Sequence, residues 1–586
     1  MLDYIYPEEE QRFFTDREHY LELLALSKTL LAEGIRKHLA LSGFRRVGKT
    51  VILKEFLRRH RLEETDDQVA VVYLDLPRLA FTPEAFATQY IGSILYWLLE
   101  RGDTLQGGGS KIEPYFDPAF QLTAVGRWGN RTLSEHLYTF NQELQKEKPN
   151  QHLLLEMAFN WPETWARALD RHVLLLLDEF PEILALNNYP QIESIVALFR
   201  AVLQSQSRVC YVVAGSMLSL MERIFLRADS PLFVHFQLET VGPLGREDSD
   251  NLARRRLTTV EPTVSPEVLA AVYQVTRGHP FYIYATTMRV VEMASLLQKP
   301  LNPQTVQEAF VLETLGTTGR IYNLCRYVLE DSLQRTRGET MPQAILQVLA
   351  KETEGQPLTR LARALKRPTG AIRQVLNWLM EVDLIQQRDD KTYAFRDPVL
   401  QLWVAYYYAG LELTGMPRQQ VLDQLVAELM EKYQRATTEL GVAKESQVRE
   451  LLHHFAGQEV DGDLLGLPGR VRLPTFRRVA SYRSEDGQVE VDALAEACTE
   501  PGSGEERWAV EIKWRGRLAG VKEIRKLLAA ARTLAARPWF ISRAGFTPEA
   551  KEFARREGVM ISGQAEIERL AKIVSHQERP DPRPDF

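Results

Sequence analysis

Eight residues, Gly43-Phe44-Arg45-Arg46-Val47-Gly48-Lys49-Thr50, have the spacing G-x-x-x-x-G-K-T. Glycines at those positions let a loop turn its backbone N–H groups inward around phosphate oxygens. In such a loop the Lys49 ammonium reaches the β- and γ-phosphates, and the Thr50 hydroxyl ligates Mg²⁺. The expected cradle comprises Gly43, Arg45, Arg46, Val47, Gly48, Lys49, Thr50 and Val51. An apolar run, KHLALS, precedes it, and an amphipathic run, TVILKEFLRRH, follows. That context sets the loop between a strand and a helix whose N-terminal partial positive charge faces the phosphates. The expected ligands are ATP and Mg²⁺. A chance Gly-rich turn would lack these flanks.

Two further groups of residues have chemical meaning. The apolar run 173–177 ends in Asp178-Glu179. Asp178 is expected to hold Mg²⁺ through water and Glu179 to polarise the attacking water. An acid pair ending an apolar run is also what a solvated strand end looks like; the loop upstream favours the metal role. Near the other end, Val489-Glu490-Val491-Asp492-Ala493-Leu494-Ala495 and Trp508-Ala509-Val510-Glu511-Ile512-Lys513-Trp514 alternate as strands. Side chains two apart share a strand face, so Glu511 and Lys513 point together while Val510 and Ile512 enter a core. Asp492 on the adjacent strand completes a two-carboxylate Mg²⁺ site, and a lysine beside it can activate water. The expected metal ligands are thus Thr50, Asp178, Asp492 and Glu511. An E-x-K string alone is weak, because charges alternate on any solvated strand.

These groups need elements to position them. Apolar runs at 38–42, 69–76, 173–177 and 209–214, with a further candidate at 235–238, are separated by helical stretches. Continuous apolar strands alternating with helices indicate a parallel sheet covered on both faces. Residues 1–36 read as an opening segment and a helix, and LQGGGS at 105–110 as a flexible insertion. Helical pattern from Arg246 to about Gly338 suits a lid. Helices at 344–351, 358–366 and 369–380, then strands at 384–388 and 392–395 around an Asp389-Asp390 turn, make a winged helix. Arg360, Arg363, Lys366, Arg367 and Arg373 supply positive charge beside a helix able to enter a major groove. Winged helices also serve contacts within proteins, so both roles stay open. The expected division is 1–245 P-loop core, 246–338 helical lid, 339–408 winged helix, 409–440 helical linker, 441–572 a second α/β domain, and 573–586 a Pro-rich disordered tail. The fold class is α/β multidomain.

On these residues the chain resembles the archaeal-type ATPase family, within the AAA+/STAND group of P-loop ATPases. Phe14-Thr15-Asp16-Arg17-Glu18 resembles that family's N-terminal motif, whose arginine lies near the nucleotide. GFRRVGKT is close to its usual loop. Val212-Val213-Ala214-Gly215-Ser216 resembles its sensor strand, with Ser216 in the polar position, and Gly278-His279-Pro280 its lid motif near the adenine. The resemblance covers about residues 11–290. It implies ATP hydrolysis, with Arg17, Ser216, His279 and Pro280 at the nucleotide. After Pro231-Leu232 the family usually carries an arginine where this chain has His235, which leaves the source of any trans-acting arginine finger open. Arg223 and Arg227 nearby read as surface residues. The run Tyr393-Ala394-Phe395-Arg396-Asp397-Pro398 to Trp403 resembles the family's exit from its winged helix.

The later order resembles the PD-(D/E)XK nuclease superfamily, especially the restriction-like domain that follows such an ATPase. A helix opens at Gly441-Val442-Ala443-Lys444-Glu445, strands follow, then a helix at 521–534 and Trp539-Phe540-Ile541-Ser542 leading to Gly545-Phe546-Thr547-Pro548-Glu549-Ala550. That resemblance implies catalytic positions for Glu445, Asp492, Glu511 and Lys513, with Val491 in place of the family's proline. It makes DNA the expected partner.

Bulk properties bound the alternatives. The 586 residues exceed what one core holds, and 72 basic against 78 acidic residues give a net charge of −6. That excludes a wholly basic nucleic-acid coat but not a local basic face. Cys210, Cys325 and Cys498 are few and far apart, as suits a reducing cytoplasm. MLDYIYPEEEQRFF lacks a signal-peptide pattern, and no apolar run approaches the roughly 20 residues of a membrane span. A cytoplasmic location without a membrane partner is expected. His453 and His454, in a helical pattern, have no matching ligand pair and read as surface residues. Two functions from different classes follow. One is an ATP-hydrolysing, DNA-associated enzyme whose nucleotide state controls a Mg²⁺-dependent nuclease, with nucleotide-dependent self-association. The other is a STAND-like ATP switch or DNA-binding regulator with a catalytically silent nuclease fold. A motor threading a polymer is disfavoured by His235 and by the lack of an aromatic pore loop.

Overall fold

The computed structural model describes residues 8–62, 68–99, 111–334, 340–352, 355–388, 391–415, 417–439, 448–449, 451–484, 489–497, 506–514, 518–543 and 545–575. The chain divides into two compact units, Met1–Val306 with Leu376–Leu384, and Gln307–Val375 with Ile385–Phe586. Glu445, the 105–110 insertion, the Asp389-Asp390 turn, Cys498 and the end of the tail lie outside the described residues. No helix among those described is long and apolar enough to cross a membrane.

In the first unit, strands β1 (Leu39–Ser42), β2 (Val69–Asp75), β3 (His172–Asp178), β4 (Val209–Gly215) and β5 (Gln237–Thr240) form one sheet in the order β2-β3-β4-β1-β5. Every pairing is parallel. Strands β1 and β4 are buried at every residue, which is why they read as continuous apolar runs. Helices Pro83–Leu99, Pro118–Val125, Arg131–Leu144 and Gln151–Ala168 lie between β2 and β3 and bury Phe86, Tyr90, Trp97, Trp161 and Trp165 in the sheet's core. After β5 come helices Arg246–Leu257, Pro266–Thr276 and Pro280–Leu297, which pack on one another. The register sets Asp75 beside Asp178 and Ser42 beside Gly215, so the carboxyl ends of the strands gather polar groups at one edge. That edge is where open parallel sheets bind ligands.

The second unit contains the hairpin β7 (Ile385–Gln387) and β8 (Thr392–Phe395), as the sequence pattern expects, plus a short strand β6 (Gln356–Pro357) paired to β8 that it does not. The helix Gln419–Glu439 runs where a connecting helix is expected, with Tyr433 set 5.6 Å from the Phe310 ring. Further on, β9 (Glu459–Asp461) pairs with β10 (Arg470–Arg472). Strands β11 (Phe476–Arg483), β12 (Glu490–Ala497), β13 (Arg507–Lys513), β14 (Arg537–Ser542) and β15 (Met560–Ser562) then form a sheet in sequence order. The first three are antiparallel and the last three parallel. Trp508, Val510, Ile512, Trp539 and Ile541 enter the core on one face, and Ala509 and Phe540 the core on the other, beneath helices Val521–Thr533 and Pro548–Glu557.

The strand around Asp492 departs from the expected simple alternation. Between the pairs Ala480–Leu494 and Tyr482–Val491, β12 advances three residues while β11 advances two, which is a β-bulge. Alternation would put Val491 on the same face as Ala493 and Ala495. Instead Val491 packs in the second core while Ala493 and Ala495 pack in the first. The extra residue re-aims Asp492 at the end of its ladder with β13, whose regular pairing stops at Ala493–Val510.

Candidate active sites

Strand β1 delivers the chain to the phosphate loop and the helix Lys49–Leu62 leaves it. The Val241 carbonyl oxygen lies 2.5 Å from where a Cβ on Gly43 would stand, and Gly48 has φ +108°. Neither position accepts a side chain. Lys49 is buried and donates to the Gly43 and Phe44 carbonyls at 2.9 and 3.0 Å. Burial pulls its pKa down, and the charges of Glu179 and Asp178 pull it back up. Arg17 is buried too, donating to the Val47 carbonyl at 3.2 Å and the Gly242 carbonyl at 2.7 Å. It braces the loop against the segment after β5.

The lid residues come to the same place. Gly278 has φ +75°, and a Cβ there would stand 2.1 Å from the Leu244 carbonyl oxygen. The Leu244 N–H donates to the Gly278 carbonyl at 2.8 Å. Pro280 opens the next helix, and burial pushes the His279 imidazole down to about 3, so the ring is neutral near pH 7. Arg46, with φ +60°, stacks its guanidinium 4.6 Å from the Phe281 ring centroid, clasping loop to lid. Phe281 has no sequence signal beyond following the Gly-His-Pro motif.

Asp178 ends β3 in a buried position, bonded to the Thr50 hydroxyl and accepting from the Tyr73 hydroxyl at 3.0 Å. Burial chiefly, with the charges of Glu179 and Asp75, pushes its carboxyl up to about 6. Asp75 pairs with Arg78 at 2.7 Å. It ends β2 as Asp178 ends β3, and this repeated apolar-run-then-Asp pattern is the signal that would have found it. Glu179 has φ +52°, and its Oε2 accepts from the Ser216 N–H at 2.9 Å and the Ser216 hydroxyl at 2.8 Å. The expected sensor and the expected water-polarising acid are therefore tied together. Three residues on, the Asp383 carboxylate accepts from the Ser219 N–H at 3.1 and 3.2 Å and sits 2.7 Å from its hydroxyl. Asp383 thereby caps the helix Leu218–Phe225, whose own N-cap residue Met217 supplies no side-chain cap. Hydroxyl and carboxylate oxygens suit Mg²⁺, and a cation beside Asp178 would relieve the burial penalty its raised pKa reports.

In the second site Glu511 and Lys513 leave the same face of β13 and pair at 2.8 Å, both nearly buried. The bulge turns Asp492 toward them, and its Oδ2 accepts from the Ile512 N–H at 2.7 Å, standing in for a missing ladder carbonyl. Burial raises the Glu511 pKa, the Asp492 charge raises it further, and Lys513 and then Lys526 oppose both. Two carboxylates forced together in a half-buried site are a donor set that a hard divalent cation stabilises. Lys526, on the helix Val521–Thr533, is a nearby cation that the sequence did not single out. Among the described residues no group of three or more His, Cys, Asp and Glu is placed to share a metal.

Other expected residues fall apart from both sites. His453 and His454 are exposed, as expected. Arg223 is exposed, and Arg227 pairs on the surface with Asp229 at 3.1 Å. His235 is half-buried, and burial lowers its pKa.

Residues 475–571 match the Mrr_cat family, described as a restriction endonuclease, so this chain carries a restriction-endonuclease-like domain. No curated protein matches the chain by sequence. Among solved structures it is similar to a Walker-type ATPase of Pyrococcus abyssi, at 18% identity and TM-score 0.46, over 67% of this chain and 96% of that one. It is also similar to the Aeropyrum pernix ORC1 protein in complex with DNA, at 14% identity and TM-score 0.37, over 69% and 95%. The Thermotoga maritima RuvB Holliday junction branch migration motor is similar at 14% identity and TM-score 0.31, over 69% and 97%.

Proposed function

We propose that the chain is an ATP-binding and ATP-hydrolysing protein acting on DNA, in which nucleotide state controls a Mg²⁺-dependent nuclease domain. The observation that carries this reading is the bulge that sets Asp492 beside the Glu511–Lys513 pair, within a domain that matches restriction endonucleases. The proposed division is a P-loop core to 245, a lid to 338, a winged helix to 408, a helical linker to 440 and a nuclease domain to 572, with self-association that depends on nucleotide.

In the first site Lys49 and the loop's backbone N–H groups bind the phosphates. Thr50 and Asp178 would hold Mg²⁺, and Glu179, once released by Ser216, orients the attacking water. In the second, Asp492 and Glu511 would hold Mg²⁺, with Glu445 as the further carboxylate. At both sites the cation offsets charge that develops on a phosphate and polarises water. Lys513 orients the water that attacks phosphorus. The route offered for control is two contacts three residues apart in the chain, Glu179 with Ser216 and Ser219 with Asp383.

One observation favours the second reading, a DNA-binding regulator with a silent nuclease fold. Arg360, Arg363, Lys366, Arg367 and Arg373 are all exposed, with no acidic residue between Leu358 and Val375. Such a face suits phosphate backbones. A single experiment separates the readings: plasmid, linear and single-stranded DNA incubated with Mg²⁺ or Mn²⁺, with and without ATP. Wild type, Lys49→Ala and Asp492→Ala are run in parallel. The nuclease reading expects cleavage that Asp492→Ala abolishes and an ATP effect that Lys49→Ala abolishes. Cleavage surviving Asp492→Ala sinks the site assignment, and DNA bound but intact throughout favours the regulator.

A further inference from the structure

We propose that Arg449 is a positioning residue of the nuclease site, holding the bulged Asp492 where it can share a divalent cation with Glu511. The inference rests on the nuclease reading above. Arg449 lies before residues 475–571, the stretch that matches the endonuclease family. It belongs to a helical stretch in which Val448, Leu451 and Leu452 are buried in the same core as Ala493, Trp508 and Trp539. That core fixes the stretch against one face of the sheet. From there the half-buried Arg449 donates through Nη1 to the Asp492 carbonyl at 2.8 Å.

The bulge explains why this contact exists. Regular pairing of β12 with β13 stops at Ala493, and pairing with β11 shifts register between Leu494 and Val491. Asp492 therefore sits where both ladders are interrupted. A guanidinium is a strong, charged donor to a carbonyl in such a partly buried place. Asp492 is thus held by Arg449 at its carbonyl and by the Ile512 N–H at its carboxylate. Glu511 is fixed by regular strand β13 itself. The spacing of the two carboxylates depends on the bulge keeping its shape, and Arg449 is the side chain that grips the bulge from outside the sheet.

The test uses the full-length chain without nucleotide, with Mn²⁺ alone as probe, followed by calorimetry and by the electron paramagnetic resonance of free Mn²⁺. Wild type is expected to show a site that Asp492→Asn removes. Arg449→Met is expected to weaken that site by about 10–100-fold, the usual effect of removing a group that orients a ligand. Unchanged Mn²⁺ affinity in Arg449→Met overturns the inference and leaves the nuclease reading standing. Mn²⁺ binding that ignores Asp492→Asn overturns both. Should Arg449→Met fail to fold, Arg449→Lys takes its place. A loss of about threefold or more at an unchanged melting temperature supports the inference, and wild-type affinity overturns it.

Discussion

Asp178 is a carboxylate that the fold buries before any cation neutralises it. Its pKa rises to about 6 from an ordinary 3.8, with burial the main cause. For an acid, a raised folded-state value means that the folded chain holds the proton longer than the unfolded chain does. The burden on stability is absent below about pH 4, grows as pH rises toward 6, and is complete above it. The shift corresponds to about 3 kcal/mol. In the nucleotide-free chain, Asp178→Asn is therefore expected to raise the unfolding free energy from urea titration at pH 8, by up to that amount, and to leave it unchanged near pH 3.5. An equal gain at both pH values would mean the carboxylate is not the source. The same substitution should abolish Mg²⁺-dependent ATP hydrolysis. Single residues such as Lys49, Asp178 and Glu511 were legible in the sequence because their chemistry fixes both type and spacing. Tyr73, Asp383 and Arg449 were not, because each acts through a partner distant in sequence.

At this site the loop, the segment after β5 and the helices beyond it meet through close backbone approach and the Arg46–Phe281 stack. The lid meets the segment after β5 through Gly278, whose φ of +75° and 2.1 Å approach to the Leu244 carbonyl exclude a Cβ. Gly278→Ala is expected to cost more than the roughly 1–2 kcal/mol of a left-handed alanine, because the clash is added to it. It should displace His279, Pro280 and the Arg46–Phe281 stack together, weakening a fluorescent ATP analogue about tenfold or more by titration. Wild-type affinity would show that the lid motif does not serve the nucleotide. Strands β1 to β4 were legible because a parallel sheet covered on both faces needs unbroken apolar runs, whereas the edge strand β5, with no buried residue, starts two residues after the expected 235–238. The bulge at Asp492 was not. Val489 to Ala493 alternates as a plain strand, and a bulge is set by how a strand pairs with its neighbours rather than by its own pattern. Strands β6, β9 and β10 have three residues or fewer and are too short to show any period.

At the scale of the whole molecule the question is whether the ATP site can speak to anything beyond itself. Ser216 grips Glu179, and three residues later Ser219 is gripped by Asp383, which follows the helix Thr369–Glu381 and has φ +61°. On the proposed control, a ligand that draws Glu179 away from Ser216 would change the start of the helix that Asp383 caps. Such a cap is worth about 0.5–2 kcal/mol. Tenfold control of a distant activity requires about 1.4 kcal/mol of coupling, so one cap is large enough to carry it. Asp383→Ala is then expected to leave ATP binding and metal-dependent DNA cleavage within about threefold of wild type, while removing most of the difference that ATP makes to cleavage. Lys49→Ala should remove that difference by a separate route, through loss of the nucleotide itself. The two variants are told apart by ATP titration, which Asp383→Ala retains and Lys49→Ala does not. If Asp383→Ala keeps the full ATP effect, the path through Ser219 is not the one by which nucleotide state is read. If cleavage itself is lost while melting is unchanged, Asp383 supports the nuclease by some means other than coupling.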